Sequence, residues 1–213
     1  MSRQLNFDRL ARPYRWLEYS TFGRSLERCR FHFLPSFTSA RRALVLGDGD
    51  GRFLARLLHS NPQIEADVVD ISPAMLRLLR ERLTPEARRR ITLHEADARG
   101  FTPAKSGYDL VVTHFFFDCL FQPDLEALVD RITPRLAANA SWVVSEFARS
   151  SGETASVAGR AVISSLYAAF GLLTGLEVRS LPDQQTALEG CGFQLCSEKQ
   201  WLRGLLISQL WQR

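Results

Sequence analysis

Three glycines at alternate positions, Gly47, Gly49 and Gly51, follow an apolar tetrad, Ala43-Leu44-Val45-Leu46, and precede Phe53, Leu54, Leu57 and Leu58 at helical spacing. A strand that turns at once into a helix needs residues without Cβ, either for positive φ or for close approach of a ligand. The spacing is GxGxG, whereas a dinucleotide fingerprint, GxGxxG, would require glycine where Arg52 stands. The next apolar run, Ala66 to Asp70, ends on an aspartate at the distance where a carboxylate accepts from both hydroxyls of a ribose. Ile71 and Met75 then offer apolar surface to an adenine ring, and Ala96-Asp97-Ala98 brings a second acid to its edge, where Asp97 can accept from the exocyclic amine. Together these residues suit an adenosine-bearing ligand that carries no pyrophosphate, with Asp48 as an additional polar group in the glycine loop.

A second group, Thr113-His114-Phe115-Phe116-Phe117-Asp118, follows the apolar run Tyr108 to Val112. Ligands of open α/β sheets bind beyond the carboxyl ends of the strands, which puts this segment beside the reacting atoms. His114 is the candidate general base, since an imidazole titrates near neutrality; the alternative is a ring that only packs. Asp118 is either an orienting carboxylate or a helix cap. Tyr14, from the amino-terminal segment, either closes over the ligand or packs on the core. Phe115, Phe116, Phe117 and Phe121, with the charge-free stretch from Ala161 to Leu176, suggest an apolar, enclosed acceptor pocket, or a core beneath a lid.

These residues need a framework, and the chain supplies one. Short apolar runs at 43–46, 66–70, 91–94, 108–113 and 141–145 alternate with amphipathic segments. Such alternation builds a parallel sheet with helices on both faces. Two closing strands, 193–198 and 205–211, have no helix between them and so pair antiparallel. The expected fold is α/β: a Rossmann-like, seven-stranded, mostly parallel sheet with an antiparallel final strand and a helical amino-terminal segment. Residues 1–40 read as a helical lid and 41–213 as a single ligand-binding domain.

In this order the motifs resemble those of class I S-adenosylmethionine (SAM)-dependent methyltransferases. LVLGDGDGRF is similar to the first motif of that family, VVDISPAML to the second, HEADARGF to the third and YDLVVTHFF to the fourth. The resemblance implies SAM as cofactor and assigns it Gly47, Asp48, Gly49, Gly51, Asp70, Ile71, Met75, Ala96, Asp97, Ala98, Thr113, His114 and Phe115. It also implies catalytic candidates in His114, Tyr14 and Asp118. One departure is Val45, where the family has an acid that helps hold the methionine part; Asp48 or Asp50 can take its place. FDRLARPYRWLEYSTFG, through Phe7, Ala11, Tyr14 and Gly23, resembles ubiquinone/menaquinone C-methyltransferases, and SEFARS matches at Glu146 and Phe147. In that group the tyrosine is followed by aspartate, and here by Arg15. The Asn/Asp-Pro-Pro-aromatic segment of enzymes that methylate exocyclic amines is absent. The implied acceptor is a small hydrophobic or aromatic molecule methylated on oxygen or carbon.

Composition narrows the partners. The chain has 213 residues, a net charge of +4 and 46% hydrophobic residues, as an ordinary globular protein has. Its arginines lie mostly on leucine-rich helical segments, which reads as solvated helix faces. No nucleic acid is therefore expected, although an RNA methyltransferase is the alternative reading and would bind in a steeply salt-dependent way. A second alternative is a catalytically silent SAM-binding protein, suggested by Val45. Cys29, Cys119, Cys191 and Cys196 have no metal-ligand rhythm, so no metal is expected and a reducing, cytoplasmic setting follows. Neither a signal peptide nor a stable membrane insertion is expected, and oligomeric state is left open.

Overall fold

A computed structural model describes residues 24–148 and 181–213. Its sheet has seven strands: β1 (Arg42–Leu46), β2 (Glu65–Asp70), β3 (Ile91–Glu95), β4 (Tyr108–His114), β5 (Leu136–Phe147), β6 (Gln194–Trp201) and β7 (Leu206–Gln212). The described helices are α1 (Ser25–Phe31), α2 (Arg52–Ser60), α3 (Pro73–Arg82), α4 (Pro85–Arg88), α5 (Gln122–Ile132) and α6 (Gln184–Gly190). The spatial order is β3-β2-β1-β4-β5-β7-β6. Strands β1 to β5 run parallel, and β7 inserts antiparallel between β5 and β6. The strand order reverses between β1 and β4, and at such a switch point the connections diverge and leave a crevice at the carboxyl ends.

Side-chain alternation divides the core into two layers. Ala43 and Val45 of β1 point with Val68 and Val112 into a cluster closed by Phe53, Leu54 and Leu57 of α2 and Leu76 and Leu79 of α3. Leu44 and Leu46 point the other way, with Val69, Val111 and Trp142, onto Leu125, Leu128 and Val129 of α5 and Leu188 of α6. Leu44, Val45, Leu110 and Val111 have no exposed surface, as befits central strands covered by helices on both sides. Trp142 of β5 and Trp211 of β7 are register partners and wholly buried. On the other side of β7, strand β6 is exposed over Gln194 to Gln200.

Local signals account for the element boundaries. Ser72 Oγ accepts from the Met75 amide at the start of α3, with Pro73 in its first turn. Asp183 caps α6 through the Thr186 amide. Helix α4 is a single turn capped by Thr84 that the spacing of apolar residues does not announce. Strand β5 is longer than its apolar run at 141–145, because its first residue pairs with Tyr108 before a register irregularity. Helix α1 packs on the sheet, with Cys29 donating to the Ile207 carbonyl and its own carbonyl accepting from Ser145 and Ser208. Residues 1–23, with Tyr14, and the stretch from 161 to 176 lie outside the described residues. No described helix is long and apolar enough to cross a membrane.

One buried charge braces the α5 side of the sheet. Asp67 of β2, 3% exposed, accepts from His94 Nε2 at 2.8 Å, Lys105 Nζ at 3.1 Å and the Tyr108 hydroxyl at 3.1 Å. Burial alone would raise this carboxyl, but the three donors outweigh it and hold it below the ordinary 3.8. A carboxyl depressed by folding contributes stability above its unfolded value, and that contribution disappears as pH falls through the folded one. Asp67→Asn should therefore destabilise the fold by about 2 kcal/mol at neutral pH. It should also flatten the loss of melting temperature on acidification; thermal melts between pH 7 and 3 that run parallel in variant and parent would contradict the brace.

Candidate functional site

The carboxyl ends of β1, β2, β4 and β5 converge at the switch point, and each glycine after β1 has its own task. Gly47, Gly49 and Gly51 all have positive φ, of 66°, 59° and 76°. A Cβ on Gly47 would lie 2.6 Å from Cδ2 of Phe116, and one on Gly51 would lie 2.5 Å from Cγ of Leu79. Those two glycines thus admit a phenyl ring and helix α3. Gly49 faces open space, with nothing within 4 Å of an added Cβ. It is the part of the cradle that a ligand can approach.

Each acid of this loop has a partner within the fold. Asp48 Oδ2 accepts from the Leu54 amide at 3.0 Å, capping α2, and burial raises its carboxyl to about 7. Asp50 pairs with Arg52 at 3.0 Å and Arg82 at 2.7 Å, tying the loop to α3. Val45 is fully buried in the apolar layer under α2.

Asp70 terminates β2 half-buried, and its Oδ1 accepts from the Ser72 amide at 2.8 Å. Its carbonyl accepts from the Ala96 amide, which draws the segment after β3 to the end of β2. Ile71 and Met75, and Ala96 to Ala98, thereby come to neighbouring strand ends. Asp97 is engaged by Arg99, whose Nε and terminal nitrogen donate to it at 2.9 and 2.6 Å. Those hydrogen bonds hold the Asp97 carboxyl below its ordinary value. Arg99 is a group the sequence reading missed, although an arginine two places after an aspartate is a detectable signal.

Beyond β4 the side chains of Thr113 and His114 both turn into the protein. Thr113 has no exposed surface, and its hydroxyl accepts from Trp142 Nε1 at 3.0 Å and donates to the Val143 carbonyl. That hydroxyl thus ties β4 to β5. His114, 4% exposed, stands edge-on to Phe53 with centroids 4.5 Å apart, and neither ring nitrogen has a partner among the described residues. Burial, aided by the positive charge of Arg30, pushes this imidazole well below its ordinary value. A ring so weakly basic is a poor proton acceptor.

The segment after His114 is held by an unexpected grip. Phe115 has φ of 53°, rare for a residue with a side chain, and its amide donates to the Ser145 carbonyl at 2.7 Å. The chain then turns so that the amides of Phe116 and Phe117 both donate to Glu146 Oε1, at 2.9 and 2.8 Å. The Phe115 ring packs against Phe147 at 5.3 Å and under the Arg30 guanidinium at 5.1 Å. Asp118 lies half-buried in the 3-10 turn Phe117–Cys119 and accepts from the Cys119 thiol at 3.4 Å. It does not cap α5, whose cap position is Phe121. Burial, the largest influence, raises Asp118 to about 6.

Residues 44–141 match the family model of a methyltransferase domain. No match was found among curated proteins. The fold is shared with the crystal structure of TnmH, at 19% identity over 96% of this chain and 60% of that one, with a TM-score of 0.68. It is likewise shared with the mitomycin 7-O-methyltransferase MmcR, at 18% identity, 98% and 60% coverage and a TM-score of 0.69. The N-methyltransferase NodS from Bradyrhizobium japonicum WM9 is covered over 97% of its length, at 15% identity and a TM-score of 0.59. At these identities the likeness is one of fold, and the chain spans about three fifths of the length of the first two.

The glycines make the site testable. Gly51→Ala combines a left-handed backbone with a clash against α3 and should cost about 2–5 kcal/mol of stability. Gly49→Ala meets only the backbone penalty of about 1–2 kcal/mol. It should remain folded yet bind S-adenosylhomocysteine more weakly; full affinity in a folded Gly49→Ala chain would place the ligand elsewhere.

Proposed function

We propose that this chain, whose residues 44–141 match the family model of a methyltransferase domain, binds SAM and methylates an oxygen or carbon of a small hydrophobic or aromatic acceptor. The observation that carries the cofactor reading is the open, Cβ-free approach at Gly49 beside Asp70 at the end of the adjoining strand. In this reading Asp70 accepts from the ribose hydroxyls, Ile71 and Met75 line one side of the adenine, and Asp97, kept ionised by Arg99, meets its amino edge. Asp48 and the backbone of the glycine loop serve the amino-acid end. Bound SAM supplies a methyl group already activated on a sulfonium, so the protein's main contribution is alignment in a water-poor pocket.

The acceptor side is built from aromatic surface. Phe115, Phe116 and Phe147 stand at the carboxyl ends of β4 and β5, and apolar lining favours an apolar or aromatic ligand. The same direction is suggested by the fold shared with a mitomycin 7-O-methyltransferase and a pyocyanin biosynthetic protein. His114, neutral and packed on Phe53, orients the site by filling space. Asp118 is the better proton acceptor, and its elevated value lies close to neutrality, where a base works best. The four free cysteines suit a reducing, cytoplasmic location.

Calorimetric titration with SAM and S-adenosylhomocysteine tests the reading directly. Asp70→Ala should weaken binding by about 1.5–3 kcal/mol, the worth of hydrogen bonds to a charged group. Unchanged affinity in the folded variant would refute the ribose assignment. Transfer of labelled methyl from SAM to a panel of phenols and quinols then assays turnover. On any acceptor that reacts, His114→Ala should lower affinity and rate together and modestly, whereas a selective collapse of rate would restore the imidazole as base.

A further inference from the structure

Glu146 is the most deeply buried acid beside the crevice, with 2% of its surface exposed. Its two oxygens have unequal surroundings. Oε1 accepts from the amides of Phe116 and Phe117, and the amide of Asp118 also favours its charge. Oε2 is buried and has no hydrogen-bond partner among the described residues. The three amides belong to the turn that carries Asp118, so Glu146 grips the backbone next to Asp118 and the Asp118 charge acts on it. When one of two neighbouring carboxyls is buried, a charge on the other raises the cost of ionising it, because little water screens the pair.

We propose that Asp118 and Glu146 work as a pair holding one proton at neutral pH, with Glu146 keeping it on Oε2 and Asp118 ionised. The geometry makes the allocation. Both hydrogen bonds from the turn occupy Oε1, which leaves Oε2 as the site for the proton. An unpaired neutral O–H in the interior costs far less than an unpaired charge. Asp118 is only half-buried and accepts from Cys119, so it is the member better able to carry charge. The raised value of Glu146, caused first by burial and next by Asp118, agrees with this order. The surrounding groups are Arg30 from α1, whose charge favours ionised Asp118, Cys29 of the same helix, which a charge on Glu146 would reach, Cys119 in the same turn, and Asp70 from β2, whose charge reaches Cys119. Asp48, in the loop after β1, lies within reach of the same Arg30.

Glu146 is thus a positioning residue that acts through Asp118. It fixes the turn with one oxygen and, by staying neutral with the other, lets Asp118 ionise. The functional consequence rests on the methyl-transfer reading. As the acceptor atom bonds to the methyl carbon and the sulfur keeps the electron pair of the bond it loses, the acceptor's proton passes to an Asp118 oxygen. Water then takes that proton from the neutral Asp118 after product leaves.

Carboxyl titration by carbon NMR decides the pairing without an acceptor. The full chain is labelled at the aspartate and glutamate carboxyl carbons, and the pair is assigned from Glu146→Gln and Asp118→Asn. Asp118 should titrate near 6, above the ordinary 3.8, while Glu146 stays protonated through that titration. Glu146→Gln, which imitates the neutral acid, should leave Asp118 near 6, and Asp118→Asn should lower the titration of Glu146. An ordinary titration of Glu146 in the parent, or a fall of Asp118 toward 3.8 in Glu146→Gln, would overturn the proposal. Calorimetry with S-adenosylhomocysteine on the same samples separates the two questions. Failure to bind defeats the cofactor reading, whereas normal binding with the wrong titration defeats only the pair.

Discussion

Burial of the centres of β1 and β4 is the constraint from which the architecture follows. Strands with no exposed surface at Leu44, Val45, Leu110 and Val111 require a helical layer on each face. Parallel neighbours can be joined only by crossovers, and right-handed crossovers starting in opposite directions from β1 create the switch point. The crevice is a by-product of that packing. Its floor is backbone, and side chains reach it only where a strand stops.

At those strand ends, the fold spends most of its polar groups on itself. Asp48 caps a helix, Asp50 binds two arginines, Asp97 binds Arg99 and Thr113 serves a tryptophan. Asp70 stands at a strand end, and Glu146 and Asp118 sit under burial that shifts their proton affinity. Perturbed carboxyls in a crevice are where chemistry is to be sought. The His114 imidazole, chosen in the sequence for its place after β4, is buried, and burial lowers its proton affinity.

Much of the architecture was legible because it depends on local pattern. Apolar tetrads, helix caps such as Ser72-Pro73 and a closing pair of strands without an intervening helix specify order and direction. The glycine loop was legible as a loop, but the separate tasks of its glycines were not, since they depend on Phe116 and Leu79 arriving from elsewhere. The grip of Glu146 on the turn after β4 joins residues 30 positions apart through a positive φ at a phenylalanine. Neither the contact nor the dihedral leaves a trace in spacing. The face of Thr113 was equally hidden, because a strand buried on both sides lacks the alternation that tells inside from outside.

The placement of β7 has a consequence for how the molecule is made on the ribosome. Strands β1 to β5 can pair as they emerge, but among the described strands it is β7, from Leu206 to Gln212, that pairs with the outer edge of β5. That edge includes Trp142 and Val144, whose burial depends partly on Trp211 and its neighbours. During synthesis the nascent sheet therefore presents an unpaired, apolar border, the kind that recruits foreign strands. Chaperone demand should be greatest in that interval, and it ends when the late-arriving strand occupies the position between β5 and β6.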